Sequence, residues 1–166
     1  MKVKIGNYRK NKGKKVDVSI ERYDIGDMDA TLAHIIYPML VKLKKHKHGA
    51  PNVDDEDVPE ELRSYNSDIL DSTANGIDEI DANHFKRWDW VMDEMIWGFG
   101  QYNSDWEDQF MTKKEPADII PEPRTDTLDG MGLNEWSFDS EGRRAHEDRI
   151  VNATTLFGKY YSCLWS

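Results

Sequence analysis

Phe85, Trp88, Val91, Met92, Met95, Ile96, Phe99 and Tyr102 recur at three- and four-residue spacing. At ~100° per residue they share one helical arc ~140° wide, the signature of a helix with one buried face. The spacing predicts a helix over 83–103, around which the rest of the chain must fold. A second stripe, Met28, Leu32, Ile35, Ile36, Met39, Leu40 and Leu43, predicts a core-facing helix over 27–48, with Asp27 or Asp29 as its cap. Pro38 removes one backbone hydrogen bond and should bend it near Tyr37. Lys42, Lys44, Lys45 and Lys47 complement the dipole at its end, and Gly49 and Pro51 stop it. Ile150, Ala153, Thr154, Phe157, Tyr160, Tyr161 and Leu164 predict a third helix over 140–165, with Trp165 docked against the body.

The amino-terminal segment reads differently. Val3 and Ile5, then Val16, Val18 and Ile20, alternate with polar residues on either side of a polar turn containing Gly13. Period-two runs joined this way predict a β-hairpin over 1–23, packed by its apolar face on the helices because an isolated hairpin is marginal in water. Residues 50–82 and 112–139 carry prolines, glycines and acids without a helical stripe and read as two long loops. The expected fold is therefore mainly α: three principal helices with an N-terminal β-hairpin and two long loops, in a single domain over 1–166.

Composition narrows what such a domain does. Six Trp, seven Tyr and five Phe stand in a chain of mean hydropathy −0.79, so rings must supply much of the core. The one cysteine, Cys163, has no CxxC or Cys/His pattern around it and reads as a buried, inert residue. The opening MKVKIGNYRK lacks an apolar signal region, and no apolar run approaches the ~20 residues of a membrane span, so a soluble protein with no membrane partner is expected. The net charge of −10 disfavours nucleic acid as a partner. Residues 1–22 are the exception, with eight Lys/Arg against two acids.

Two constellations stand out as binding candidates. His46 and His48, followed by Asp54, Asp55 and Asp57, form a possible ligand or partner patch. Mixed imidazole and carboxylate can ligate a metal, but the acids do not follow the alternation of a calcium loop, and the residues can equally finish one helix and cap the next turn. No metal or cofactor is assigned. On the outer face of the middle helix, Trp90 and Trp97 lie one above the other, flanked by Asp89 and Asp93. Either the hairpin or the loops cover the two rings, or they anchor a partner, for which tryptophan is well suited. Asp89 and Asp93 also have the spacing of a helical Mg²⁺ site that Glu147 and Asp148 could complete, as in a small metal-dependent nucleotide hydrolase. No GxSxG, P-loop or GxGxxG occurs. His34, opposite the stripe of its helix, reads as a surface residue.

Several strings carry a resemblance: Tyr23-Asp24 with the run from Met28 through Thr31-Leu32-Ala33 and Ile35-Ile36 to Pro38-Met39-Leu40, then His48-Gly49 through Val53-Asp54-Asp55-Glu56-Asp57-Val58-Pro59. They continue in His84-Phe85-Lys86-Arg87-Trp88-Asp89-Trp90 to Ile96, Arg149-Ile150-Val151-Asn152 and Leu156-Phe157-Gly158-Lys159-Tyr160-Tyr161. Together they resemble a family of small proteins encoded by tailed bacteriophages, departing from it at Ile25-Gly26-Asp27. The resemblance implies a virus-encoded protein acting in the host bacterial cytoplasm or carried in the virion, with no residue roles attached. The expected function is a non-enzymatic accessory protein, able to form oligomers, that binds and blocks a host protein or a small defence signalling molecule. A virion or assembly component and the hydrolase are the alternatives.

Overall fold

Helix α2 (His84–Gln101) is the axis of the structure, with α1 (Met28–His46) and α3 (Ser140–Lys159) packed against it. The computed structural model describes residues 1–9, 13–67, 69–71, 80–115 and 136–165. Its three helices and N-terminal hairpin are the mainly α fold that the periodicity predicts. The core takes Trp88, Val91, Met92, Met95 and Phe99 from α2, Ala33 and Leu40 from α1, and Ile150, Ala153, Leu156 and Tyr160 from α3. Val53 and Val58, from the segment after α1, close one end of it.

Both neighbours run antiparallel to α2. Trp88 meets Tyr160 edge-on near one end of α3, while Gln101 accepts or donates at His146, 3.0 Å away, near the other. Between them Gly98 lies against Ala153 so closely that a Cβ there would sit 2.3 Å from the alanine's own, a contact only glycine allows. Asp139 caps α3 by accepting from the Gly142 amide at 2.8 Å. Asp27 precedes α1 without a side-chain capping bond, and α1 continues through Pro38. α3 ends at Lys159, six residues before the predicted limit. Tyr160 leaves helical geometry and a single 3₁₀ turn, Tyr161–Cys163, follows.

Where a loop is expected after α1, three successive 3₁₀ turns, Asp55–Asp57, Glu60–Leu62 and Ser64–Asn66, lead to a short ladder of β3 (Ile69–Asp71) with β4 (Ile80–Asp81). Buried polar residues at the start of α2 hold this segment. Arg87 grips Asp81 with two bonds of 2.9 and 2.6 Å and donates to the Leu62 carbonyl at 3.2 Å, while the Asn83 amide donates to the Glu61 carbonyl. The second expected loop is flanked by β5 (Met111–Lys113) paired antiparallel with β6 (Trp136–Phe138). Residues 68 and 72–79 of the first predicted loop, and 116–135, most of the second, lie outside the described residues.

The hairpin forms as predicted, from β1 (Lys2–Arg9) and β2 (Gly13–Ser19), with Gly13 at a φ of 66° that favours glycine in its turn. Its expected burial is overturned. Val16 is 59% and Ile20 61% exposed, and Ile5 and Val18 are about half exposed. Only the first residues of β1 lean on α1, where Met1 and Val3 share a shallow concavity with Thr31 and Ile35. The reason is reach: α1 runs past the foot of the hairpin, and no described element lies under the rest. Trp165 corrects a second expectation. It lies beside Gly49 but stays 61% exposed, while Leu164 and Cys163 before it pack on the core.

Candidate functional site

The apolar stripe of α1 is wider than its neighbours can cover. Ala33 and Leu40 face α2 and are buried, but Met28 is 57% and Met39 63% exposed, and Leu32 lies open beside them. Tyr23 and Ile25, in the 3₁₀ turn before the helix, extend this open surface. Towards the helix end it runs into a groove of about 400 Å³ lined by Ile36, Met39, Leu40, Leu43, Phe157, Tyr161 and Leu164. Tyr161 and Phe157 stack edge to face at 5.6 Å and form the far wall. The periodicity of these residues is legible in the sequence, but it reads as core. A helical stripe reports that a face is apolar, and whether this chain or another molecule covers it is a separate matter.

The tryptophan pair occupies the outer ridge of α2, and other parts of the chain cover it. Trp97 lies beneath the Arg149 guanidinium, 3.9 Å from the ring centroid, and against His146 at 4.9 Å. Arg149 is fixed there by a two-bonded pair with Glu94, at 2.7 and 2.9 Å. Trp106 stacks on the other side of His146 at 4.7 Å, with Phe110 edge-on. Burial among these rings, with the nearby Arg149 charge, pushes the His146 pKa down. Trp90 is half buried and packs against the core. Among the described residues the covering layer on Trp97 is thus α3, through Arg149 and His146, with the turn at Trp106–Phe110 packed on His146. Asp89 and Asp93 point the other way, to Lys47 at 2.9 Å and to Lys44, and tie α1 to α2. These acids are engaged within the chain, which removes the expected acidic flank of a tryptophan anchor.

The His46–Asp57 patch is likewise taken apart. His46 Nδ1 lies 2.8 Å from the Lys42 carbonyl, within its own helix, and His48 is exposed beyond it. The acids turn away to the end of α3. Lys159 gathers Asp54 at 2.8 Å, Asp57 at 2.7 Å and Glu56 at 3.4 Å. The Tyr160 hydroxyl donates to Asp57 at 2.5 Å and accepts from the Asp54 amide at 3.0 Å. These bonds raise the Lys159 pKa, while burial and then the Asp57 bond push Tyr160 up to about 12. Asp55 accepts from the Ser64 hydroxyl and amide, and the hydroxyl bond chiefly lowers its pKa. Among the described residues no group of His, Cys, Asp and Glu side chains is placed to hold a metal ion. The hydrolase constellation also fails to assemble: Asp89 and Asp93 face α1, and Glu147 pairs with Arg143 on its own helix.

No described helix is long and apolar enough to cross a membrane. Compared with protein-family models, with curated proteins and with solved structures, the chain matches none.

Proposed function

We propose that this chain is a non-enzymatic binding protein, a bacteriophage accessory protein that docks on a host protein in the bacterial cytoplasm and blocks it. The observation that carries the reading is the open apolar surface along α1 and into the groove beside α3. Single exposed apolar residues are ordinary, whereas a run along one face of a 19-residue helix, ~28 Å long, is of the size that protein partners use. Two exposed methionines and two tyrosines give that face adaptable and anchoring side chains. A protein segment suits it better than a small charged signalling molecule, since none of the seven side chains lining the groove offers a cation to a phosphate. The net charge of −10 weighs against nucleic acid. The bacteriophage setting rests on the sequence strings of α1, α2 and the segment between them.

The test compares tagged wild-type chain with the double variant Met28→Glu/Met39→Glu, each recovered from bacterial cells and analysed by mass spectrometry. Both positions are mainly exposed, so the variant keeps its melting temperature. A host protein retained by the wild type and lost by the variant supports the reading, and identical sets from both refute it. The same surface also suits a virion or assembly component, in which case the chain cosediments with purified particles.

A further inference from the structure

We propose that two copies of this chain pair through α1, the helices antiparallel about a two-fold axis level with Ile35 and Ile36, so that each covers the open stripe of the other until a host protein displaces it. The inference rests on the reading of that stripe as a docking surface and adds a regulator of it. At ~100° per residue, Met28, Leu32, Ile35, Ile36, Met39 and Leu43 fall in one arc ~100° wide. Its centre lies ~100° around the helix from Ala33 and Leu40, which face α2. The gaps between the six are four, three, one, three and four residues, the same read in either direction. Laid antiparallel on a copy of itself, such a stripe sets Met28 against Leu43, Leu32 against Met39 and Ile35 against Ile36. Its three most exposed members, Met28, Leu32 and Met39, then gain cover. The foot of the hairpin stands beside Thr31, His34 and the edge of the arc at Ile35, and leaves the rest of the arc open.

Charge fixes the direction of the pairing. Lys44 and Lys47 are drawn in to Asp93 and Asp89. Lys42 and Lys45 stay exposed at the end of α1, and Asp27 at its start, none with an ion-pair partner among the described residues. Helical spacing sets Asp27, Lys42 and Lys45 on one shoulder of the stripe, turned away from α2 and α3. Across a two-fold axis between antiparallel helices, like shoulders meet. Asp27 of each copy then lies level with position 44 of the other, between Lys42 and Lys45. A parallel pair would instead set Asp27 against Asp27 and Lys42 against Lys42. The dipoles of the two helices add to the antiparallel preference. A copy of α1 thus carries both the matching spacing and the complementary ends, which selects a second copy as the occupant. One helix pair ~28 Å long lies at the small end of protein interfaces, so the dimer is weak enough to yield to a host protein.

Sedimentation velocity and disulfide trapping on the full chain test it. The wild type is expected to dimerise at about 100 μM, where a micromolar complex is largely formed. Asp27→Lys and Lys42→Glu/Lys45→Glu are each expected to associate at least about tenfold more weakly alone. Their equimolar mixture restores the dimer, because one contact is then wild type and the other has both charges reversed. Trapping reads the register: mildly oxidised, a mixture of Leu32→Cys and Met39→Cys chains gives a cross-linked dimer, and neither gives one alone. Identical positions lie ~10 Å apart along the axis, beyond the reach of a disulfide. A monomeric wild type overturns the proposal. So does a dimer indifferent to both charge variants, a mixture that stays apart, or Leu32→Cys chains that cross-link to one another, as a parallel pair would. Host capture is read separately. Capture that needs Met28 and Met39, from a wild type that sediments as a monomer, sinks the dimer alone. A dimer of this register that captures no host protein sinks the functional reading alone.

Discussion

Gly98→Ala adds one methyl where α2 crosses α3, and the sign of its effect can be worked out. In an open helix the change is favourable by up to ~1 kcal/mol, because alanine restricts the unfolded chain and glycine does not. Here the new Cβ would lie 2.3 Å from the Ala153 Cβ, more than an ångström inside normal contact. Ala153 is fully buried and has no rotamer to move to, so relief must come from separating the helices beside Val91, Met95 and Ile150. Overpacking of this kind costs ~1–3 kcal/mol. The expected net loss is ~1–2 kcal/mol, read by urea unfolding followed through the helical circular dichroism signal. Gly158→Ala is the control: nothing lies within 4 Å of its Cβ, so the same chemical change there is expected to be neutral or stabilising. Ala153→Gly costs stability alone but removes the clash in the Gly98→Ala background, and the two should couple favourably by ~1–2 kcal/mol. If Gly98→Ala proves as stable as Gly158→Ala, the helices do not meet at this pair and the reasoning fails.

The remaining predictions concern the buried ion pair, the tryptophan and the hairpin. Hydrogen bonding from Arg87 holds the Asp81 carboxyl at about 2, against an ordinary 3.8. A depressed carboxylate contributes stability that is full above pH 3.8 and lost as pH falls through 2, on the order of 2 kcal/mol, and Asp81→Asn should flatten that part of an acid titration of stability. Trp97→Ala removes the ring under Arg149 and against His146 and is expected to destabilise the fold by about 2 kcal/mol in urea unfolding. An unchanged stability would restore Trp97 as an open anchor. Deleting residues 1–22 is expected to shift the melting temperature of the helical body by no more than about 2 °C in dilute solution, since the hairpin's apolar face lies mostly outside the core. A larger drop in scanning calorimetry would show that the hairpin shares the core after all.

The helices were legible because their signal is local. Three stripes at helical spacing place α1, α2 and α3, and the limits of α1 and α2 fall within two residues of prediction. The partners of each face were less legible, because partnership depends on crossing angles that a single stripe does not encode. α1 and α2 have equally convincing stripes, yet that of α2 is largely buried, with Phe85 at its start left 52% exposed against expectation, and much of that of α1 is open. The same gap explains the acidic segment. Asp54, Glu56 and Asp57 look like a ligand site when read beside their sequence neighbours His46 and His48. Their partners are Lys159 and Tyr160, which only the folded chain brings near. The spacing puts Trp97 off the main stripe and in need of cover, but it does not show that Arg149 and His146, about 50 residues away, supply that cover.

The clasp of Tyr160 and Lys159 on Asp57 has a consequence for the timing of synthesis. The two partners are 103 residues apart, and a ribosome adding ~5–20 residues per second needs about 5 to 20 s to travel from one to the other. During that interval α1 and α2 have emerged, but Trp88, which meets Tyr160 edge-on, and the surface of α2 at Gly98, which lies against Ala153, have no cover. A nascent chain of this protein therefore leaves the core-facing stripe of its central helix without α3 for seconds, many times longer than helix formation itself requires. Its yield in a cell should depend on how quickly α3 is translated and on the chaperones that meet the chain before then.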